Sequence, residues 1–434
     1  MTSPHPRLTN GFYILLSLPS TAMGFALSVQ MAALSWIMRN QYDLSIKDVG
    51  IVAMAGPLAG LLAQPIVGLI SDRVWFWGGR RRPFIIIGSV TAALMLAALP
   101  FLDVLSEMSG LQILWTAAFV TLALDLAINV GFNPTRSIIA DLTPEGEART
   151  KGFTWMQTIS GMFGVLAYVI GAIFGNYVLI YTGIVLVLLF NIVPALLIRE
   201  PRELGEPAPH DAPLEPVQGG GKTNLPRLLH IYAAHAFTWL GVYTMFVFLA
   251  IYAEQALFPG LTSFDDAQKH QIGQLVNISF LIMNVVGFLL PVLVLQPLSR
   301  RIGLVRTHTI CIFIMALAYA GIVALGKTPI LLYALMALVG VGWASVVSLP
   351  FAIMSDSVDK ARMGTFMGIF NLSVVLPQFL TGLVVARFIG DAGDKSLTFV
   401  ICAVALAISA VLWAMLKEDK TGSGQFATGT GAAH

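Results

Sequence analysis

The sequence predicts an all-α membrane protein of twelve transmembrane helices arranged as two six-helix bundles. Three observations carry that prediction. The 434 residues are 57% hydrophobic and only 11% charged, with a mean hydropathy of +0.81, whereas soluble domains are about 25% charged. The apolar residues fall in runs of roughly 20, enough to cross a hydrocarbon core as a helix. The second half of the chain also echoes the first.

Taken in order, the N-terminal bundle (1–198) has spans at 12–38, 48–70, 83–102, 112–139, 152–175 and 177–198. The C-terminal bundle (228–416) has spans at 228–256, 272–296, 306–326, 329–354, 364–390 and 397–416. Between them, 199–227 holds Pro201, Pro207, Pro209, Pro213, Pro216 and Gly219-Gly220-Gly221, with charges of both signs. Such a segment has almost nothing to bury and reads as a flexible linker. Residues 417–434, Gly- and Thr-rich from Thr421, read as a disordered tail. The start, MTSPHPRLTNGF, has one Arg and no evident small-residue cleavage site, which predicts an uncleaved first helix.

Orientation follows from the basic residues. With both termini in the cytoplasm, 19 of the 25 Lys and Arg lie inside and 6 outside, a positive-inside bias. Basic residues confined to short loops and a net charge of +2 argue against a nucleic-acid partner. Cys311 and Cys402 lie within apolar runs, which predicts buried thiols, not a disulfide or metal site. No nucleophile elbow, metal-ligand spacing or phosphate loop is present, so an enzyme is not expected.

The internal echo joins NPTRSIIADLTPEGEARTKGF, at spans 4 and 5, to SLPFAIMSDSVDKARMGTF, at spans 10 and 11. Each has Pro, then Asp (Asp141, Asp356), then Arg (Arg149, Arg362), then Gly (Gly152, Gly364). Related halves imply a solute site between them near the midplane. Spans 3, 6, 9 and 12 are plain enough to sit in lipid, while the others carry amides, prolines, tryptophans or charges. That pattern predicts eight helices around a wet cavity with four as scaffold. Helix faces give Gln30, Asn129, Asn133, Gln157, Asn277, Asn284, Trp343, Asn371 and Gln378 as candidate solute contacts. In span 8, Gln274, Asn277 and Asn284 share one broad face. Amides in such places also glue helices together without touching a solute.

Asp125 is the sharpest residue. It lies mid-span in LWTAAFVTLALDLAINVGFNPTRSII, where a carboxylate costs about 2.5–3.5 kcal/mol and is functional by default. Asn129, Phe132, Asn133 and Arg136 continue its stripe at i+4, i+7, i+8 and i+11. The Asp125 to Arg136 separation, roughly 16 Å along a straight helix, is too long for direct pairing. Arg136 either faces the same cavity or snorkels to the inner interface. In span 7, Trp239 and Tyr243 are four apart, either a platform for a sugar ring or ordinary core aromatics. His235 is either a proton shuttle or a packing residue, and Glu254, near the outer end, is expected to be solvated. In the hairpin after span 2, Arg73, Arg80, Arg81 and Arg82 lie within reach of Asp72 and of Asp141, and ion pairs there, with Arg149, would hold an inner gate. Positive-inside anchoring is the other reading, compatible with the first.

GLISDR at Gly68–Arg73, followed by Gly79-Arg80-Arg81, resembles the loop signature of the major facilitator superfamily, with extra residues between Arg73 and Gly79. With Gly56-Pro57 and QPIVG upstream and RRRPFI downstream, it is similar to the glycoside-transporting group of plant sucrose transporters and their bacterial and animal relatives. The similarity extends into LDLAINVGFNPTRSIIADL and FTWLGVYTMFVFL. The bacterial maltose and sucrose carriers look closest, which implies a bacterial inner (plasma) membrane. The resemblance implies the major facilitator fold and import of an α-glucosidic disaccharide, maltose or sucrose, by proton symport through alternating access. Asp125 would carry the proton, and Arg136 would answer to it and to the sugar. The proton is the coupling ion and no other cofactor is expected; the partners are the sugar and the lipid bilayer, and the carrier is expected to be a monomer. One departure stands out: where plant members have two acids near the outer end of span 7, this chain has Tyr252 and Glu254. The related sodium-coupled melibiose carriers also use acids on span 2, where only Asp48 is available here, which favours protons. The competing readings are a proton-coupled exporter or facilitator of another polar solute, and a membrane sensor, which would need a signalling domain that the spans leave little room for.

Overall fold

The computed structural model describes residues 8–61, 75–143, 147–200, 224–355, 357 and 363–417. Apart from one isolated bridge between Phe76 and Gly79, the regular structure there is helical. The first half contains α1 (Asn10–Asn40), α2 (Ile46–Ala53), α3 (Arg82–Ala98), α4 (Leu102–Ser109), α5 (Ile113–Leu142), α6 (Glu147–Phe174) and α7 (Asn176–Leu197). The second half contains α8 (Leu225–Leu257), α9 (Asp266–Leu290), α10 (Gln296–Ile302), α11 (Leu304–Leu325), α12 (Pro329–Val346), α13 (Pro350–Ser355), α14 (Met363–Leu380), α15 (Ala386–Asp391) and α16 (Leu397–Met415). Eleven helical runs among the described residues are long and apolar enough to cross a membrane. The one expected span not among them, the second at 48–70, is seen as α2 and a helical run at 55–61, and its remainder lies outside the described residues.

Local chemistry sets the ends. Ser45 and Asp48 form a capping box at the start of α2, and Asp265 and Gln268 form another at α9. The second box starts the eighth span at Asp266 rather than at 272, because the polar stretch DDAQKHQ is the first turns of the helix and not a loop. Gly175, at φ 87°, takes a left-handed conformation that separates α6 from α7 with a single residue. Three expected spans are not uniform. The eighth passes through a π-helical turn at Pro291–Leu295, and the eleventh through another at Thr381–Val385. The tenth breaks between α12 and α13 ahead of Pro350.

The helices pack as two bundles. In the first, α1 packs on α6 and α7, and α3 on α5 and α7; in the second, α11 packs on α12 and α16, α8 on α14 and α16, and α9 on α12. The plain spans take scaffold positions. Val185, Leu189 and Val193 on α7, and Val400, Val404, Ile408 and Val411 on α16, are exposed at helical spacing, as a lipid-facing stripe requires. The bundles meet where α1, α2 and α6 face α8, α9 and residues 381–391.

At the face bearing the termini, the start of α3 is held by a residue from the far end of its bundle. The Glu200 carboxylate accepts the backbone N–H groups of Arg80, Arg81 and Arg82 at 2.7, 2.9 and 2.7 Å. These donors have no intrahelical partner, and a carboxylate there also opposes the helix dipole. Arg81 Nε adds an ion pair to Asp141 at 3.0 Å, with both side chains largely buried. Glu200→Ala is expected to cost about 1–2 kcal/mol, read as a lower melting temperature in detergent, with Glu200→Gln intermediate; an unchanged melting temperature for Glu200→Ala would refute the cap.

Candidate functional site

Asp125 sits midway along α5 and is 4% exposed. From α1, Gln30 Nε2 donates to its Oδ2 at 2.9 Å. From the second span, Gly56 presents bare backbone: a Cβ there would lie 3.4 and 3.5 Å from the two carboxylate oxygens. One turn on, Asn129 Nδ2 donates to the Asp125 backbone carbonyl at 2.8 Å. The carboxyl therefore lies among three helices of one bundle, and among the described residues it has a neutral donor and no cationic partner.

Arg136, on the same helix, does not pair with Asp125. Its guanidinium lies 4.6 Å from the centre of the Phe132 ring, and its Nε has no hydrogen-bond partner among the described residues. A half-buried cation that meets only an aromatic face among the described residues can take a polar ligand. The side chains of Asn133 and Arg149, and Asp72 and Arg73 entirely, lie outside what the structure describes.

The opposite wall is aromatic. Trp239 meets Trp343 edge-on at 6.3 Å, and Trp343 meets Phe246 at 5.2 Å. Phe246 contacts Phe280 at 5.7 Å, which meets Tyr168 of the first bundle at 5.6 Å. Trp239 Nε1 donates to His235 Nε2 at 2.9 Å, and the His235 ring stacks on Phe370 at 4.5 Å. His235 is thus a hydrogen-bonded packing residue that orients Trp239. Tyr243 extends from the same helix face to the first bundle, donating its hydroxyl to the Ala53 carbonyl at 2.5 Å.

The candidate amides separate into two sets. Asn277 Nδ2 donates to Asn176 Oδ1 at 2.7 Å, and Gln274 Nε2 to the Ala172 carbonyl at 3.1 Å. Both therefore act as glue between bundles. Asn284 bonds the Phe280 carbonyl at 2.9 Å and also reaches Tyr168, which in turn meets Ser28. Asn284 lines the boundary between bundles at the aromatic wall. Trp343 and Asn371 are half-buried, Gln378 is buried and Gln157 is exposed.

Glu254 departs from expectation. It is buried and not solvated, and its Oε2 pairs with Arg39 Nη2 of α1 at 3.0 Å. Trp36 Nε1 donates to the Lys269 carbonyl at 2.8 Å, and Lys47 pairs with Asp391 at 2.6 Å. Among the described residues, the hydrogen bonds and ion pairs between bundles run from the middle of the helices to the face remote from the termini. This face is closed. Sequence reasoning missed Arg39, Tyr168 and Gly56. A basic residue at the sparsely charged end of span 1 and a hydroxyl within span 5 were the available signals; Gly56 offered none by itself.

Comparison with known proteins agrees with this architecture. The chain is 25% identical over 430 residues to the sucrose transport protein SUT2 of Oryza sativa subsp. indica, covering 85% of each chain. It is 24% identical to the sucrose transport protein SUC4 of Arabidopsis thaliana, covering 87% of this chain and 84% of the relative. A shorter match, 34% identical over 128 residues, joins 28% of the chain to 23% of the general alpha-glucoside permease of Schizosaccharomyces pombe. Among solved structures, the nucleoside transporter NupG superposes with a TM-score of 0.69 at 14% identity, covering 94% of this chain and 98% of that one. The D-xylose-proton symporter superposes at 0.70 and 14% identity, covering 95% and 98%. These likenesses carry the fold. The sequence profile of the Major Facilitator Superfamily matches residues 16–381, and the chain belongs to that family as a multi-pass membrane transporter, not an enzyme.

Proposed function

We propose that the protein is a secondary active transporter that imports an α-glucosidic disaccharide, maltose or sucrose, by proton symport through alternating access. The observation that carries this reading is the Asp125 carboxyl: buried mid-membrane, held by neutral Gln30 and paired with no cation among the described residues. An acid in that setting is free to exchange a proton, whereas a permanently salt-bridged one would be locked in its charged form. The sugar-transporting relatives supply the substrate class. Trp239, Trp343 and Phe246 form a wall suited to the apolar face of a pyranose ring, and Arg136 supplies donors for its hydroxyls.

With both termini in the cytoplasm of a bacterial inner membrane, the closed face would be external, and the state one shut to the outside. Asp125 would then give up its proton toward the terminal face, sugar release would follow through the same face, and the empty carrier would reset. Arg81 pairs with Asp141 inside the first bundle, so this pair braces that bundle's cytoplasmic end and does not itself join the two bundles. The carrier works as a monomer with no cofactor besides the proton.

Reconstitution into liposomes tests the reading. An imposed inward pH gradient is expected to drive uphill uptake of maltose or sucrose, and uptake indifferent to that gradient would reject coupling. A competition panel of sugars, glycosides and amino acids tests the substrate class; displacement by a non-sugar alone would favour the facilitator reading. Trp239→Ala is expected to raise the KM for sugar about three- to tenfold, the value of one lost aromatic contact; an unchanged KM would remove Trp239 from the site.

A further inference from the structure

The second span is interrupted beside the acid. α2 ends at Ala53, Met54 turns its N–H to the Ile51 carbonyl at 3.2 Å, and helix resumes over 55–61. Pro57 accounts for the free carbonyl there. In a continuous helix the Ala53 carbonyl would accept the N–H of residue 57, and proline has none. That carbonyl instead accepts the Tyr243 hydroxyl from the other bundle at 2.5 Å. Gly56, in the same turn, faces the Asp125 carboxylate across a space in which a Cβ would make ordinary van der Waals contact, at 3.4 to 3.6 Å from its atoms. One turn of backbone therefore faces the acid in one bundle and bonds an aromatic of the other.

We propose that this turn, Ala53 to Pro57, together with Tyr243, is a positioning element that transmits the state of Asp125 to the contact between the bundles. The proposal rests on the reading of Asp125 as the proton carrier. An ionised carboxylate against bare backbone in a low-dielectric setting exerts a force on that turn that the neutral acid does not. The groups facing the carboxyl are Gln30 from α1 and the 53–57 turn itself, while Asn129 on its own helix bonds the Asp125 backbone carbonyl. Across the turn, Tyr243 is the titratable neighbour, and no charged side chain pairs with the carboxylate among the described residues. Displacement of the turn alters the Ala53–Tyr243 bond, and with it the closed face that Arg39–Glu254 and Trp36–Lys269 complete. A bond that merely fills an orphaned carbonyl would be indifferent to the acid, and this difference is measurable.

Hydrogen–deuterium exchange on the full-length carrier in nanodiscs reads the closed face through peptides covering 36–50 and 250–272. Pro57→Ala restores an N–H that competes for the Ala53 carbonyl, and Tyr243→Phe removes the donor. Each is expected to raise exchange there by roughly two- to tenfold, the equilibrium value of one hydrogen bond. The double variant should go no further than the larger single effect. Asp125→Asn should change exchange in these peptides in the otherwise native chain and cease to do so in either variant. Additive effects of the two variants, no response to Asp125→Asn, or a response that survives Tyr243→Phe would each overturn the proposal. Vesicle uptake measured in parallel keeps the two claims separate: loss of pH-driven accumulation in the native protein refutes symport, while the exchange data still report the link.

Discussion

Asp125→Asn is expected to abolish pH-gradient-driven accumulation of sugar. A gradient of one pH unit is worth about 1.4 kcal/mol, so two units coupled to one proton support up to about a hundredfold internal excess. Without a titratable group at this position that excess should collapse to about one, while sugar-for-sugar exchange falls far less. The asparagine keeps the volume and an acceptor for Gln30, whose amide now donates to the acid at 2.9 Å, so a folding defect is not the expected cause. Equal loss of exchange and accumulation would assign Asp125 to the structure of the bundle instead of to coupling. Undiminished accumulation would remove it from the mechanism altogether.

The second large effect is expected at the face remote from the termini. Arg39→Ala leaves the Glu254 carboxylate, whose side chain is 8% exposed, without the partner it meets at 3.0 Å. Removing one member of a buried pair costs roughly 3–5 kcal/mol. Arg39 is itself 21% exposed, so solvent screening reduces the expected cost to about 1–3 kcal/mol. The penalty falls on the closed arrangement alone, because the two residues come from different bundles. The state open at that face should gain population about five- to 150-fold. Deuterium labelling of the peptides covering 36–50 and 250–272 measures this opening. Arg39→Ala combined with Glu254→Gln should return labelling most of the way to the level seen without either change, since the stranded charge is gone. A double variant as open as the single one would show that the pair is not what closes this face.

The two effects differ in how far the sequence foretold them. Asp125 was legible because one carboxylate among apolar neighbours needs no tertiary information to stand out. The helical framework was legible for the same reason, since hydrocarbon thickness fixes the length of each run. The Arg39–Glu254 pair was not, because it joins residues 215 positions apart in the chain, and Glu254 near a helix end looked solvated. Asn277 and Gln274 show a related limit. Their helix face was correct, but the face meets the other bundle, so amides placed for a solute became inter-bundle bonds. Glu200 lay at the edge of a segment read as linker, and its capping role required α3 and the end of α7 to lie side by side. The π-helical turns at Pro291–Leu295 and Thr381–Val385 were hidden because apolar periodicity does not distinguish a wide turn from a regular one.

Glu254 also bears on the departure from the plant pattern. One of the two acids near the end of the seventh span is Tyr252 here, whose hydroxyl donates to the Gly326 carbonyl at 3.1 Å within its own bundle. The remaining acid is committed to Arg39 of the other bundle. On the proposed mechanism, closure and coupling therefore use different carboxylates: Glu254 fastens the bundles and Asp125 exchanges the proton.

The most direct test of that mechanism is proton movement itself. Liposomes loaded with a pH-sensitive dye, with no imposed gradient, are given external maltose or sucrose. The account predicts that sugar entry acidifies the lumen, and that Asp125→Asn vesicles show no acidification at matched protein content. Sugar entry without acidification in the native carrier, or acidification that persists in the variant, would contradict it.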